Sequence, residues 1–281
     1  MKKTAIAAFL LAAIGTPGVC ASYDEVNAGI SYFNLGRYDD AIIWFDKALA
    51  AGDLSTDLKH LAYLDRGQAY LAKKDTQKAL SDFAQALAVK PDSVIAHRHR
   101  ISIYLVNNDR EKALAELQAL SKLRPDNLDV LMNIGMLNWQ QGDTEASARA
   151  FQPFSDRIIQ SWLWLQLTNL RLGKPLGDFR EDIFSRWWPG PLARFYRGSL
   201  SETALLSEAE DAHTGNNASR AKNTEARCNA FFFAGMWRIA RGETGAAPLL
   251  QNSIEACGET SMNSKIARFE LDRLADREGK K

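Results

Sequence analysis

The chain has 281 residues, with 35 Lys+Arg against 34 Asp+Glu and a formal charge of +1. A 46% hydrophobic and 25% charged composition excludes bulk disorder and is enough to build a sizeable core. Near-neutrality argues against a dedicated nucleic-acid binder, and 8 prolines with 18 glycines are too few for an all-β chain of tight turns.

Residues 1–21 read as an export signal. Lys2 and Lys3 precede an apolar run over residues 4–14 that is too short to span a bilayer. Gly15, Pro17 and Gly18 break it, and Val19-Cys20-Ala21 offers small residues for cleavage after Ala21. Lipidation at Cys20, which would make an outer-membrane lipoprotein, is disfavoured because Pro17, Gly18 and Val19 match a lipobox poorly. The expected destination is the periplasm. No later run reaches ~18 apolar residues, so no transmembrane segment is expected. Cleavage discards Lys2, Lys3 and Cys20, which shifts the charge to −1 and leaves Cys228 and Cys257 in a disulfide-permissive compartment.

A repeat follows. Gly29 and Tyr32 precede Ala41, Phe45 and Ala48; Gly67 and Tyr70 precede Ala79, Phe83, Ala86 and Pro91. Tyr104 precedes Ala113 and Pro125, with Ile101 in the Gly place. Gly135 precedes Ser147 and Phe151, with Asn138 in the Tyr place. The last three copies are 34 residues apart, and the first lies 38 before the second. Small residues let paired helices approach, aromatics fill the space between them, and Gly36 and Gly142 suit the turns. Pro91-Asp92 and Pro125-Asp126 end one copy and offer a cap to the next. This pattern resembles the tetratricopeptide repeat (TPR). It implies four helix–turn–helix units over residues 22–158 and an all-α helical-hairpin solenoid, or superhelix.

Residues 159–223 read as degenerate hairpins. Trp162 and Gly173 keep the unit's trace, a helix is expected near residues 178–186, and Trp187-Trp188-Pro189-Gly190-Pro191 stops propagation. Residues 192–198 restart a short helix, Ser201 caps the next, and Gly215-Asn216-Asn217 marks a loop. A last unit spans residues 224–275, with Phe231, Gly235, Gly242 and Ala247 in repeat positions. Its amphipathic helix over residues 264–275 caps the open end, and residues 276–281 form a frayed tail. The segments WWPGPLARFYRGSLSETALL and EARCNAFFFAGMWRIARGETGAAPLLQNSIEAC resemble the C-terminal half of NlpI-type bacterial TPR proteins. That resemblance implies an envelope adaptor that docks cell-wall hydrolases or a protease, with homodimerisation through N-terminal helices. The poor lipobox departs from it, as does Gly242-Glu243 where Gly-Asp is usual.

Cys228 opens the first helix of the last unit and Cys257 closes the second, so antiparallel pairing brings them within reach of a disulfide. The alternative is two buried free thiols. A redox-active pair is disfavoured, since there is no Cys-x-x-Cys spacing.

No catalytic fingerprint is present and no cofactor or metal is expected. His97 and His99 stand at i, i+2 on different helix faces, His97 in a core place; His60 starts a helix and His213 lies in a polar stretch. The chain therefore reads as a non-enzymatic scaffold. Its partner-binding groove, lined by the first helix of each unit, takes Asn27, Phe33, Gln68, Arg98, His99, Ser102, Asn133, Met136 and Trp139. Asp65 shares that wall. Expected partners are protein or peptide clients in the cell envelope. The alternatives are a subunit of a secretion, pilus or outer-membrane assembly apparatus, and a small-molecule-binding solenoid.

Overall fold

The computed structural model describes residues 17–177, 190–210, 219–259 and 261–278. The leader over residues 1–16, the helix near residues 178–186, Trp187 to Pro189, the Gly215 loop and His213 lie outside them. The described residues are helical throughout, with no strand among them, and fall into two compact units that divide between Pro125 and Asp126.

The first unit holds three hairpins: α1 (Pro17–Asn34) with α2 (Tyr38–Ala51), α3 (Thr56–Ala72) with α4 (Thr76–Val89), and α5 (Val94–Val106) with α6 (Arg110–Leu123). Residues 17–21, read above as the end of the signal, are helical and continuous with the rest of α1.

Within each hairpin the turn is made the same way. Gly36, Lys74 and Asn108 occupy one left-handed position, with φ of +73°, +63° and +58°. The next residue then caps the second helix. Asp75 accepts the Lys78 N–H at 3.2 Å and Asp109 accepts the Lys112 N–H at 3.4 Å. Arg37 replaces the Asp in the first hairpin and gives no such cap. Caps for the first helices come one residue later than expected from Pro91-Asp92: Ser93, not Asp92, accepts the Ala96 N–H at 3.3 Å.

The repeat glycines face aromatic rings. A Cβ on Gly29 would stand 2.6 Å from the Phe45 ring, and one on Gly67 2.8 Å from Phe83. Only the missing side chain lets each ring lie flat against the opposite helix. In the third hairpin both partners change: Ile101 fills the Gly place and Leu117 the Phe place, each buried.

The second unit begins with α7 (Leu128–Gln141) and α8 (Thr144–Phe151), followed by a 3-10 turn (Gln152–Phe154) and α9 (Ile159–Arg171). Gly142 at φ +86° and Asp143, which caps Ala146 at 2.9 Å, repeat the turn; Asn127, not Asp126, caps α7 through Val130 at 3.1 Å. The remaining helices are α10 (Gly190–Tyr196), α11 (Glu202–Glu210), α12 (Ser219–Arg241), α13 (Ala246–Cys257) and α14 (Met262–Glu278). Ser201 caps α11 as expected, accepting the Ala204 N–H at 3.1 Å.

This unit has an aromatic core centred on Trp164. Its ring meets Trp139 and Phe151 at 5.5 Å each, Phe232 at 5.7 Å and Phe233 at 6.1 Å. Tyr196 stacks on Trp237 at 4.4 Å and donates its hydroxyl to the Phe233 carbonyl at 3.2 Å. Cys228 and Cys257 form a disulfide, with Cα atoms 4.8 Å apart. Cys228 does not open its helix as expected: α12 begins nine residues earlier, at Ser219.

Candidate functional site

The residues chosen for the groove are divided between the units. Asn27, Phe33, Gln68, Arg98, His99 and Ser102 stand on α1, α3 and α5 of the first unit; Asn133, Met136 and Trp139 stand on α7 of the second.

In the first unit, Asn27, Arg98 and Ser102 are exposed, and Arg98 forms no ion pair among the described residues. Ile95, one turn from Arg98, is 53% exposed, and Tyr23, one turn from Asn27, is 52% exposed. His99 is half-buried, its ring stacked on Phe83 at 4.7 Å and 9°. Burial, and secondarily the positive charge of Arg98, holds its pKa below the usual histidine value. Phe33 is half-buried against the hairpin core and meets Tyr38 edge-on at 5.5 Å.

Gln68 donates its amide to Asp65 at 3.3 Å. Asp65 forms no ion pair among the described residues, and burial alone pushes its carboxyl up to about 6. The sequence placed Asp65 on the wall without singling it out. The signal that would have done so is an acid among the apolar positions Leu61, Leu64 and Leu71, with no base one turn away in the groove.

In the second unit the expectation for Trp139 is overturned. It has no exposed surface. Its ring lies 3.4 Å under the Arg171 guanidinium, and its Nε1–H donates to Glu270 of α14 at 2.8 Å. Met136 is half-buried against the same core, and Asn133 spends its amide on the Asp129 carbonyl at 2.7 Å. Arg171 and Glu270 went unnoticed in the sequence. Their signal is a carboxylate inside an apolar stripe, Glu270 lying four residues from both Ile266 and Leu274.

His97 lies in the core as expected, and is hydrogen-bonded there: its Nδ1 is 2.7 Å from Glu116 Oε2. His60 bonds the cap Ser93 at 2.7 Å. Among the described residues no three His, Cys, Asp or Glu side chains are grouped to hold a metal ion, and no helix is long and apolar enough to cross a membrane.

Hairpins that repeat one left-handed turn, with a Gly–Phe contact in three of the four, are the mark of one repeat family. Models described as tetratricopeptide repeat match residues 20–92 and 70–132. Residues 20–132 carry tetratricopeptide repeats. Among solved structures, a TPR protein from Parabacteroides merdae is similar in fold, with a TM-score of 0.50 and 15% identity over 89% of this chain and 98% of that one. The structure titled MamA AMB-1 is similar at TM-score 0.42 and 18% identity, over 54% of this chain and 83% of that one. Among curated proteins, the peptidyl-prolyl cis-trans isomerase CYP7 of Saccharomyces cerevisiae is 34% identical over 70 residues, 25% of this chain. The chain spans 18% of that relative's length. In TPR terms α1, α3 and α5, which carry Asn27, Asp65 and Arg98, are the first helices of their repeats.

Proposed function

We propose that this chain is a non-enzymatic TPR scaffold that binds client proteins in the cell envelope, with the first helices of its first unit as the binding wall. The observation that carries the reading is the unsatisfied chemistry of that wall. Among the described residues Asp65 has no cationic partner and Arg98 no anionic one, and Asn27 and Ser102 are exposed beside the apolar Tyr23 and Ile95. Polar groups interleaved with apolar ones suit an extended peptide, whose backbone needs donors and acceptors and whose side chains need pockets. Scaffolding of this kind requires no chemistry, only a rigid surface.

The envelope location rests on the signal-like residues 1–21, and the Cys228–Cys257 bridge supports an oxidising compartment. Cleavage after Ala21 would start α1 at Ser22. The likeness to NlpI-type proteins makes cell-wall hydrolases or a protease the first clients to seek.

Crosslinking in cells followed by mass spectrometry tests this. Captured envelope proteins should be lost in an Asn27→Ala, Arg98→Glu variant whose thermal unfolding is unchanged. Undiminished capture of the same proteins would remove the first-unit wall from the reading.

A further inference from the structure

The first helices of the second unit, α7 and α9, are not free. α14 packs most closely on α13, touches α12, and reaches α7 and α9 through Glu270. Its buried stripe is Ser264, Ile266, Ala267 and Glu270, with Leu271 and Leu274 half-buried behind it. A stripe of this kind normally carries an aliphatic residue in every place, and a carboxylate at its centre is costly unless matched. Glu270, 2% exposed, is matched from two other helices. Trp139 Nε1 of α7 donates to it at 2.8 Å, and Arg171 Nη2 of α9 lies 3.5 Å away. Arg273 of α14 itself adds contacts at 3.3 Å.

A permanent cap gains little stability from such a pair. Buried ion pairs are often no more stabilising than apolar side chains of the same volume, but they discriminate sharply among partners. Tryptophan and arginine stacked in a desolvated pocket are also the residue types that dominate binding energies at interfaces. Burial here is severe enough to bring the Arg171 guanidinium down to about 10 even beside Glu270. α14 is joined to α13 through a short connection that turns at Gly258, at φ +74°.

We propose that α14 is a self-supplied occupant of a helix-binding groove formed by α7, α9, α12 and α13, and that in trans this groove accepts an amphipathic helix presenting a carboxylate in the place of Glu270. The inference rests on the reading of the chain as a protein-binding scaffold but concerns the second unit, so the two stand or fall on different variants. Held in cis, α14 competes at an effective concentration in the millimolar range, so the groove is closed to weak clients and open to strong ones.

The experiment uses the full chain with a protease recognition sequence inserted between Gly258 and Ser261. After nicking, a fluorescent peptide of residues 261–278 is titrated and followed by anisotropy, while released α14 is measured by mass spectrometry. The peptide should bind the nicked protein and displace α14, and bind the uncut protein at least ~10-fold more weakly. A Glu270→Gln peptide should bind about 10-fold more weakly than the parent, as expected for losing a charge-assisted bond. Retention of α14 without exchange would overturn the proposal, as would collapse of the helical signal on nicking. Equal binding by the Glu270→Gln peptide would overturn the carboxylate readout. On the unmodified chain, α14 amides should exchange hydrogen faster than those of α12 and α13; equal protection would mean that α14 opens only when the whole unit unfolds. If α14 fails to exchange while Arg98→Glu still abolishes client capture, the scaffold reading stands and this one falls.

Discussion

Arg66 grips both oxygens of Asp82, Nη2 to Oδ1 at 2.6 Å and Nε to Oδ2 at 2.8 Å, joining the two helices of one hairpin. The relation recurs 34 residues later, where Arg100 Nη2 meets Glu116 Oε1 at 2.9 Å. There His97 takes the other carboxylate oxygen, and the buried Arg100 Nε is left without a partner. One repeat further on, the same two places hold Ile134 and Ala150, both buried. The fold thus solves one helix–helix contact in two ways, ionic and apolar.

That contrast predicts the outcome of a transplant. Asp82→Ala alone strands a largely buried guanidinium whose remaining partner, Asp46, is exposed, and should cost about 2–3 kcal/mol. Arg66→Ile with Asp82→Ala copies the fourth repeat and should return stability to within about 1 kcal/mol of the parent. Urea unfolding of the three proteins checks this. A double variant no better than the single would show that the ion pair carries the contact.

The third hairpin offers a second exchange. Ile101 and Leu117 stand where the other repeats have Gly and Phe. Ile101→Gly alone should cost about 3–4 kcal/mol, combining a cavity with a helical glycine. Leu117→Phe alone overpacks and should cost about 1–3 kcal/mol. Together they rebuild the contact that Gly67 makes with Phe83, so the double variant should sit within about 2 kcal/mol of the parent. Additive losses would mean that the third hairpin has drifted too far to accept the ring.

These pairs show what was legible in the sequence and what was not. Gly–x–x–Tyr and the alanines repeat as residue types, so the hairpins and their spacing could be read directly. Turn geometry was half-legible: Gly36 and Gly142 announce a left-handed residue, whereas Lys74 and Asn108 reach the same region without a glycine. The ion pairs escaped because Arg66 and Arg100 look like surface charges until the helix opposite is in place. Trp139 escaped for a related reason. Its register puts it on an inner wall, and the packing of Trp164, Arg171 and α14, a long-range fact, buries it.

The last hairpin carries the covalent restraint. Cys228 and Cys257 are 29 residues apart, and closing such a loop should contribute ~3–4 kcal/mol in the chain-entropy view. Cys228→Ser with Cys257→Ser should therefore lower unfolding stability by about that amount, with reduced protection in α12 and α13 first. A chain beginning at Ser22, denatured without reductant, should titrate no thiol. Two titrating thiols would mean that the bridge does not form.

Asp65 should make stability depend on pH in an unusual direction for a carboxylate. Its folded value of about 6 lies above the ordinary 3.8, so the folded chain binds the proton more tightly than the unfolded one. Above pH 6 the carboxylate is ionised in both states and its burial weakens the fold. As pH falls from 6 towards 4 the folded chain is protonated first, and this group's contribution to stability rises by about 2–3 kcal/mol. Asp65→Asn should therefore stabilise the chain by about 2 kcal/mol at pH 7.5 and by little at pH 4.5, read from urea midpoints of variant and parent at both values. A variant no more stable at pH 7.5 would mean that the carboxylate is solvated. A group that weakens the resting fold yet lies on the proposed binding wall is expected where a client supplies the missing partner. Saturation with a client bearing a lysine or arginine at that point should restore a low carboxyl value, so binding should weaken as pH drops below 6 and lose that dependence in Asp65→Asn.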